Sequence, residues 1–458
     1  MLKVCVIGCG GIGGYHLSHL VQYTDLVELV GFCDLDPAKA RAFAEKAGKG
    51  NVYTNFVKML DAEQPDAVFV CIPPISHGEG MVELELVERG IPFFVEKPIA
   101  LSMYVARRVR DAVAAKKLIT AVGFQLRYDN LVDTVKAYTA ENRIATMNVT
   151  RIGGIPATWW FYDKAACGGQ IVEQTIHQLD MMRYVYGEPE LVFSMNARGF
   201  IEKPPAGYKT DDYSVTAVRF ANGALATITT GVFAKGPAAD NKMTFNAVDS
   251  HLDFYPAQKA LIYGKTPAEG DAAGTQSVVA YDAAVKTAGG ALEYKTNVDY
   301  GLVCDRTFLE AVASGDGSKI RSPYADAAKT LAFVLACNES MDTGKPVKND
   351  FTRVFQSASA PRICVRGACF LGRDGLYCLY ETLEKAKEYR HAVPRRPGSP
   401  VLFPARGGPV PALCRSVRPG TNPHRRYAVP PAALSSAKAP GDRTGGVSPH
   451  GGRVHRVL

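Results

Sequence analysis

Two short stretches of this chain hold side chains whose types and spacing suit proton-transfer chemistry. The first is Glu96-Lys97-Pro98, which follows the apolar run Pro92-Phe93-Phe94-Val95. Pro98 fixes the turn, so Lys97 presents an ammonium at the end of a strand. A cation there steadies a developing alkoxide; the plainer account is a surface lysine paired with Glu96. The second stretch runs Glu173-Gln174-Thr175-Ile176-His177-Gln178-Leu179-Asp180. On one helix, Glu173, His177 and Asp180 share a face. An imidazole flanked by two carboxylates suits a general base. The same pattern arises on a solvated face of ordinary ion pairs. Three such ligands also suit a divalent ion, but no metal is assigned. Gly168-Gly169 just ahead allows close approach at the helix start. Trp159-Trp160-Phe161-Tyr162 holds both tryptophans of the chain. Aromatic faces suit the C–H faces of sugar rings, and core packing accounts for this run equally well.

The elements that would position these groups begin at the first residues. Val4-Cys5-Val6-Ile7 leads into Gly8-Cys9-Gly10-Gly11-Ile12-Gly13, a helix-like segment follows, and Leu26–Phe32 ends in Cys33-Asp34. Strand, glycine turn, helix, strand and acid is the order of a dinucleotide-binding unit. Gly8 allows the tight turn, Gly10 the approach of a pyrophosphate, and Gly13 close helix packing. The helix N-terminus offers free N–H groups and partial positive charge to the phosphates. Asp34 suits the ribose hydroxyls and repels a 2′-phosphate, which favours NAD over NADP. Asp36, before Pro37, reads as the cap of the next helix.

Buried runs such as Ala67–Ile72 then alternate with helices up to about residue 124. This predicts a doubly wound parallel sheet, an α/β Rossmann domain over 1–123. Ligands of such sheets lie beyond the carboxyl ends of the strands. Pro73, His77, Glu96, Lys97 and Gln125 fall there. Residues 124–350 change character. Helices are expected over 127–141 and, as one long element, 168–186. Strands are expected near 144–152, 190–200, 212–220, 224–234, 242–247, 251–255 and 259–263, with Asn222-Gly223 as a hairpin turn. This predicts an α+β domain with an open, mainly antiparallel sheet, closed by helices near 300–314 and 323–343. Residues 351–458 are unassigned. Cys364, Cys369 and Cys378 offer three thiols for a zinc site, though their spacing matches no zinc module. From about 392 the Pro, Gly and Arg content predicts a disordered C-terminal tail.

The chain has 458 residues, 47% hydrophobic and 21% charged, as in a soluble globular protein. The net charge of +8 is concentrated at the end: residues 391–458 hold eleven Lys and Arg against Asp442, or +10, which leaves −2 on 1–390. The body gives no reason to expect nucleic acid. No apolar run suits a membrane span. Met1-Leu2-Lys3 runs straight into the first strand, and the 11 cysteines show no paired spacing; both lead to an expected cytoplasmic location.

The glycine motif with Asp34, Pro73-Pro74 with His77, Glu96-Lys97-Pro98, and Gly168-Gly169 followed by His177 and Asp180 resemble the glucose–fructose oxidoreductase and inositol dehydrogenase family (Gfo/Idh/MocA). The resemblance covers about residues 1–350. It implies a Rossmann domain, then an α/β domain with an open antiparallel sheet. It further implies NAD(P)-linked oxidation or reduction of a sugar or cyclitol hydroxyl. The family lysine falls on Lys97, its histidine on His177 and its later acid on Asp180. Where many members carry aspartate four residues before the histidine, this chain has Glu173. Lys97, Arg127, Trp159, Trp160, Tyr162 and His177 are the candidate substrate contacts. A homo-oligomer, dimer or tetramer, is expected across the open sheet. Two other readings stand beside this one. An NAD-dependent glycosidase would use the hydride step transiently, and a non-catalytic NAD or sugar sensor would bind without turnover.

Overall fold

The computed structural model describes residues 1–78, 80–264 and 284–350. The three cysteines considered for zinc and the tail from about 392 lie outside them. Six strands form the first sheet: β1 (Leu2–Ile7), β2 (Val27–Cys33), β3 (Asn51–Tyr53), β4 (Ala67–Val70), β5 (Phe93–Val95) and β6 (Thr120–Val122). Their order is β3-β2-β1-β4-β5-β6, parallel throughout. Between them run α1 (Gly11–Leu20), α2 (Pro37–Ala47), α3 (Phe56–Glu63), α4 (Met81–Arg89) and α5 (Met103–Lys116). The central strands are apolar on both faces and covered twice, as a parallel sheet requires; all residues of β4, β5 and β6 are buried. Asp36 caps α2 by accepting from Ala38 N, with Pro37 at its first position, as its sequence suggests.

The second sheet has ten strands: β7 (Thr146–Ile152), β8 (Pro189–Ala197), β9 (Tyr213–Phe220), β10 (Leu225–Gly231), β11 (Asp240–Asn246), β12 (Ser250–Tyr255), β13 (Lys259–Gly264), β14 (Val285–Lys286), β15 (Leu292–Lys295) and β16 (Val347–Lys348). Only β7 and β10 pair in parallel; the sheet is otherwise antiparallel. The Asn222-Gly223 turn joins β9 to β10, with Gly223 at φ 90°. Strict alternation in β9 buries Ser214, Thr216, Val218 and Phe220 and exposes Tyr213, Val215, Ala217 and Arg219. The remaining helices are α6 (Asn130–Glu141), α7 (Lys164–Cys167), α8 (Gln170–Glu173), α9 (Ile176–Val185), α10 (Tyr300–Ser314) and α11 (Tyr324–Thr343).

Two departures from the sequence reading matter for the site. The expected continuous helix over 168–186 is broken. Gly168 and Gly169 take φ of 82° and 92°, α8 stops at Glu173, and α9 restarts at Ile176. Thr175 sits at the break, its hydroxyl bonded to Gln170 Oε1 and Thr230 Oγ1. Glu173, His177 and Asp180 therefore do not share the face of a single helix. The second departure concerns α10. It was expected to close the antiparallel sheet, yet its buried face, including Asp305 and Phe308, packs on α1 and the parallel sheet. Phe308 meets Phe69 and Phe94 edge-on at 5.5 and 5.9 Å. α11 does pack on β8 and also on α5. Leu331–Cys337 of α11 are wholly buried in the core that joins the two sheets.

Candidate active site

The glycine turn at the end of β1 is built by close backbone contact. Gly8 lies at φ 94°, and a Cβ there would meet Cys71 O at 2.3 Å; one on Gly13 would meet Gly8 O at 2.2 Å. Gly10 and Gly11, in contrast, face open space. α1 begins there with no side-chain cap, which leaves its first N–H groups without a capping side chain. Asp34, at the end of β2, holds this frame together. Its carboxylate accepts from Cys9 N at 2.8 Å and from Asp36 N at 2.9 Å. An uncapped helix start, a cradle without side chains and an acid at the next strand end fit the pyrophosphate and ribose of a dinucleotide. Ile12 is partly exposed beside the turn.

The ends of β5 and β6 carry the next group. Glu96 is buried. Its Oε1 lies 3.0 Å from both His16 Nε2 and Gln125 Nε2, and its Oε2 accepts from Lys97 N at 3.2 Å. A Cβ on Gly123 would meet Glu96 Oε1 at 2.1 Å, so that glycine makes room for the carboxylate. The Lys97–Pro98 peptide is cis. Lys97 then reaches across to the broken helix. Its Nζ donates to Glu173 O at 3.0 Å and lies 3.5 Å from the Glu173 carboxylate. The break explains the contact. A carbonyl at a helix end lacks its intrahelical partner and accepts the ammonium instead.

His177 opens α9 beside this pair. Phe124, just past β6, meets its ring edge-on at 6.1 Å. Nδ1 is buried without a hydrogen-bond partner among the described residues. Burial pushes the imidazole well below its ordinary pKa, and the charges of Lys97 and Arg151 push the same way. The ring is thus neutral at neutral pH. Arg151, from β7, donates to Gln174 Oε1 at 2.8 Å. Burial lowers its pKa and Glu173 partly offsets this. Sequence reasoning missed Arg151, because nothing in a strand pattern marks which residue will face a site built from another element.

Other candidates occupy different surroundings. Asp180 is buried and accepts from Arg127 Nε at 2.7 Å, Arg127 Nη2 at 2.5 Å and Thr330 Oγ1 at 2.7 Å. Arg127, also buried, reaches Asp326 at 2.7 Å and Arg321 O at 2.6 Å. Asp180, then Asp326, overcomes the effect of burial and holds the guanidinium in its charged form. The two residues clamp α9 to the turn after β6 and to α11. His77 is buried with Nδ1 on the Glu83 carboxylate, and Pro73 is half-buried at the end of β4. In the aromatic run, Trp159 is 64% exposed. Phe161 lies in a small cluster with Cys167 and Val232, against which Trp160 and Tyr162 pack. Trp160 Nε1 has no partner among the described residues.

Comparison with known proteins bears on this arrangement. Residues 2–124 match the oxidoreductase family with an NAD-binding Rossmann fold, and residues 107–249 match the GFO/IDH/MocA C-terminal domain. The chain is 31% identical over 245 residues to the D-glucoside 3-dehydrogenase of Escherichia coli K12, a match covering 49% of this chain and 68% of that protein. It is 28% identical over 229 residues to the myo-inositol 2-dehydrogenase of Thermotoga maritima, covering 50% and 67%. Levoglucosan dehydrogenase in complex with NADH and levoglucosan shares the fold, with a TM-score of 0.63 at 19% identity, over 76% of this chain and 99% of that one. This chain belongs to the Gfo/Idh/MocA family of oxidoreductases, and its first domain is an NAD-binding Rossmann domain.

Proposed function

We propose that the protein is an NAD-dependent dehydrogenase of a sugar or cyclitol, acting on a ring hydroxyl. The observation that carries this reading is the pairing of a fixed cation with a neutral base at the carboxyl edge of the parallel sheet. Lys97 is held on the Glu173 carbonyl, and His177 is kept unprotonated by burial and by Lys97. Bound NAD supplies the hydride acceptor. In the oxidative direction His177 takes the hydroxyl proton, and the Lys97 ammonium stabilises the negative charge that grows on that oxygen. Glu173 acts chiefly through its backbone carbonyl and its carboxylate, which keep the ammonium in place. Arg127 and Asp180 position α9, and with it His177. Gly8, Gly10, Gly11, Ile12, Gly13 and Asp34 hold the adenosine and pyrophosphate half, with Pro73, Glu96 and Gln125 framing the nicotinamide half. His77, at the end of the turn that follows Pro73, is tied to Glu83 of α4. Trp159, Trp160 and Tyr162 offer an aromatic wall suited to a sugar ring.

A homo-oligomer across the outer face of the ten-stranded sheet is supported by exposed Met195, Val215 and Leu225 there. A cytoplasmic location is supported by seven buried cysteines without disulfides among the described residues. No described helix is long and apolar enough to cross a membrane. The test of function is a panel of sugars and inositols with NAD, followed at the absorbance of NADH. A retained keto product supports the dehydrogenase. Cleavage of a glycosidic bond without net NADH would replace it with a glycosidase, and binding without either change would replace it with a sensor.

A further inference from the structure

We propose that His16 is a positioning residue: its ring, protonated on both nitrogens, ties the Glu96 carboxylate at the end of β5 to the Asp305 carboxylate of α10, and so fixes the frame from which Lys97 and Gln125 face the site. The value of that frame rests on the dehydrogenase reading of Lys97; the state of the ring does not.

The argument starts from hydrogen-bond capacity. His16 is wholly buried, three residues past the glycine turn. Its Nδ1 lies 2.9 Å from both Asp305 oxygens, and its Nε2 lies 3.0 Å from Glu96 Oε1. A neutral imidazole has one donor and one acceptor. It would turn a lone pair toward one of two buried carboxylates, whereas the imidazolium donates to both. Charge balance leads to the same state. Glu96 and Asp305 are both buried, and the nearby ammonium of Lys97 is taken by Glu173. Two buried carboxylates need a cation between them, and His16 is the group placed to supply it.

Other groups face this ring. Tyr15 and His19 come from α1, with His19 Nδ1 2.7 Å from Asp305 and its Nε2 3.9 Å from Asp299. Cys304 of α10 and Cys71 after β4 lie near the two carboxylates, Tyr300 of α10 lies near Tyr15, and Phe69 and Phe94 meet the His16 ring tilted and edge-on at 5.6 and 4.9 Å. Burial lowers the His16 pKa, but Asp305 and then Glu96 outweigh it and push it up to about 10. The consequence is mechanical. Glu96 gathers the Lys97 backbone, the Gln125 amide and His16 in one buried cluster. Through His16 and Asp305, α10 bears directly on the strand end that carries Lys97.

The test uses the full chain labelled with nitrogen-15 histidine. His16 should show two ring N–H protons, with imidazolium shifts unchanged past about pH 8, and this signal should vanish in His16→Asn. A singly protonated ring near neutral pH would overturn the proposal. So would stoichiometric metal on the purified protein, bound by His16, His19 and Asp305. In His16→Asn, or in Asp305→Asn should the first fail to fold, kcat should fall about a hundredfold through misplacement of Lys97. Adding Glu96→Gln should recover part of the loss, because a neutral amide needs no cation. A crystal structure of His16→Asn with Glu96, Lys97 and Gln125 unmoved would refute the positioning role. If no sugar or inositol is turned over while the imidazolium signal persists, it is the dehydrogenase reading that fails.

Discussion

Asp180→Asn separates positioning from chemistry at the acid that lies three residues past the proposed base. The substitution keeps the shape and removes the charge. Asp180 now accepts two hydrogen bonds from Arg127, at 2.7 and 2.5 Å, and one from Thr330 at 2.7 Å. An asparagine can still accept on one oxygen, but its amide would turn N–H groups toward the guanidinium. Removing one partner of a buried ion pair costs about 3–5 kcal/mol. Here Arg127 keeps Asp326 at 2.7 Å and the Arg321 carbonyl at 2.6 Å, so the loss belongs at the lower end, about 3 kcal/mol. At about 2 °C per kcal/mol for a large domain, Tm should drop by roughly 6 °C. The assay is thermal unfolding beside steady-state kinetics at a temperature where the variant is folded. kcat should fall less than about tenfold, because a merely shifted α9 still carries the base. An unchanged Tm with kcat reduced about a thousandfold, the scale of a lost acid–base group, would refute this reasoning and return Asp180 to the proton path.

Lys97→Met and His177→Asn should each lower turnover by roughly a hundredfold or more with NAD affinity little changed; near-normal turnover in either, by steady-state assay, removes that residue from the mechanism. The oxidative rate should rise with pH through the depressed His177 pKa, so a pH profile should already be level at the ordinary histidine value of about 6.5; a rise centred at or above that value contradicts the burial argument. Asp34→Ala should weaken NAD and narrow its advantage over NADP in a titration, since the carboxylate that repels a 2′-phosphate is gone. Leu225→Asp, on the exposed face of β10, should shift the mass seen by light scattering toward the monomer; an unchanged mass places the interface elsewhere.

Several features were legible in the chain itself. The glycine turn, Asp34 and the unbroken apolar runs fix a dinucleotide-binding parallel sheet, because each step depends on local backbone geometry and two-sided burial. The alternation over 144–152 and the Asn222-Gly223 turn likewise announce a half-exposed, mainly antiparallel sheet. Lys97 was readable because strand ends are where such sheets bind ligands. What sequence could not settle was decided by contacts between distant segments. A 3.6-residue period predicts one face for Glu173, His177 and Asp180, but Thr175 bonds Thr230, and the helix breaks. That break frees the Glu173 carbonyl for Lys97, 76 residues earlier in the chain. Arg151 enters the site from β7, and Arg127 withdraws to Asp180. The helix expected on the antiparallel sheet lies instead on α1, where Asp305 meets His16 across 289 residues. Periodicity fixes which side of an element is buried. Which charges meet there is fixed by the pairing of buried groups that must satisfy one another, and only the folded chain brings them together.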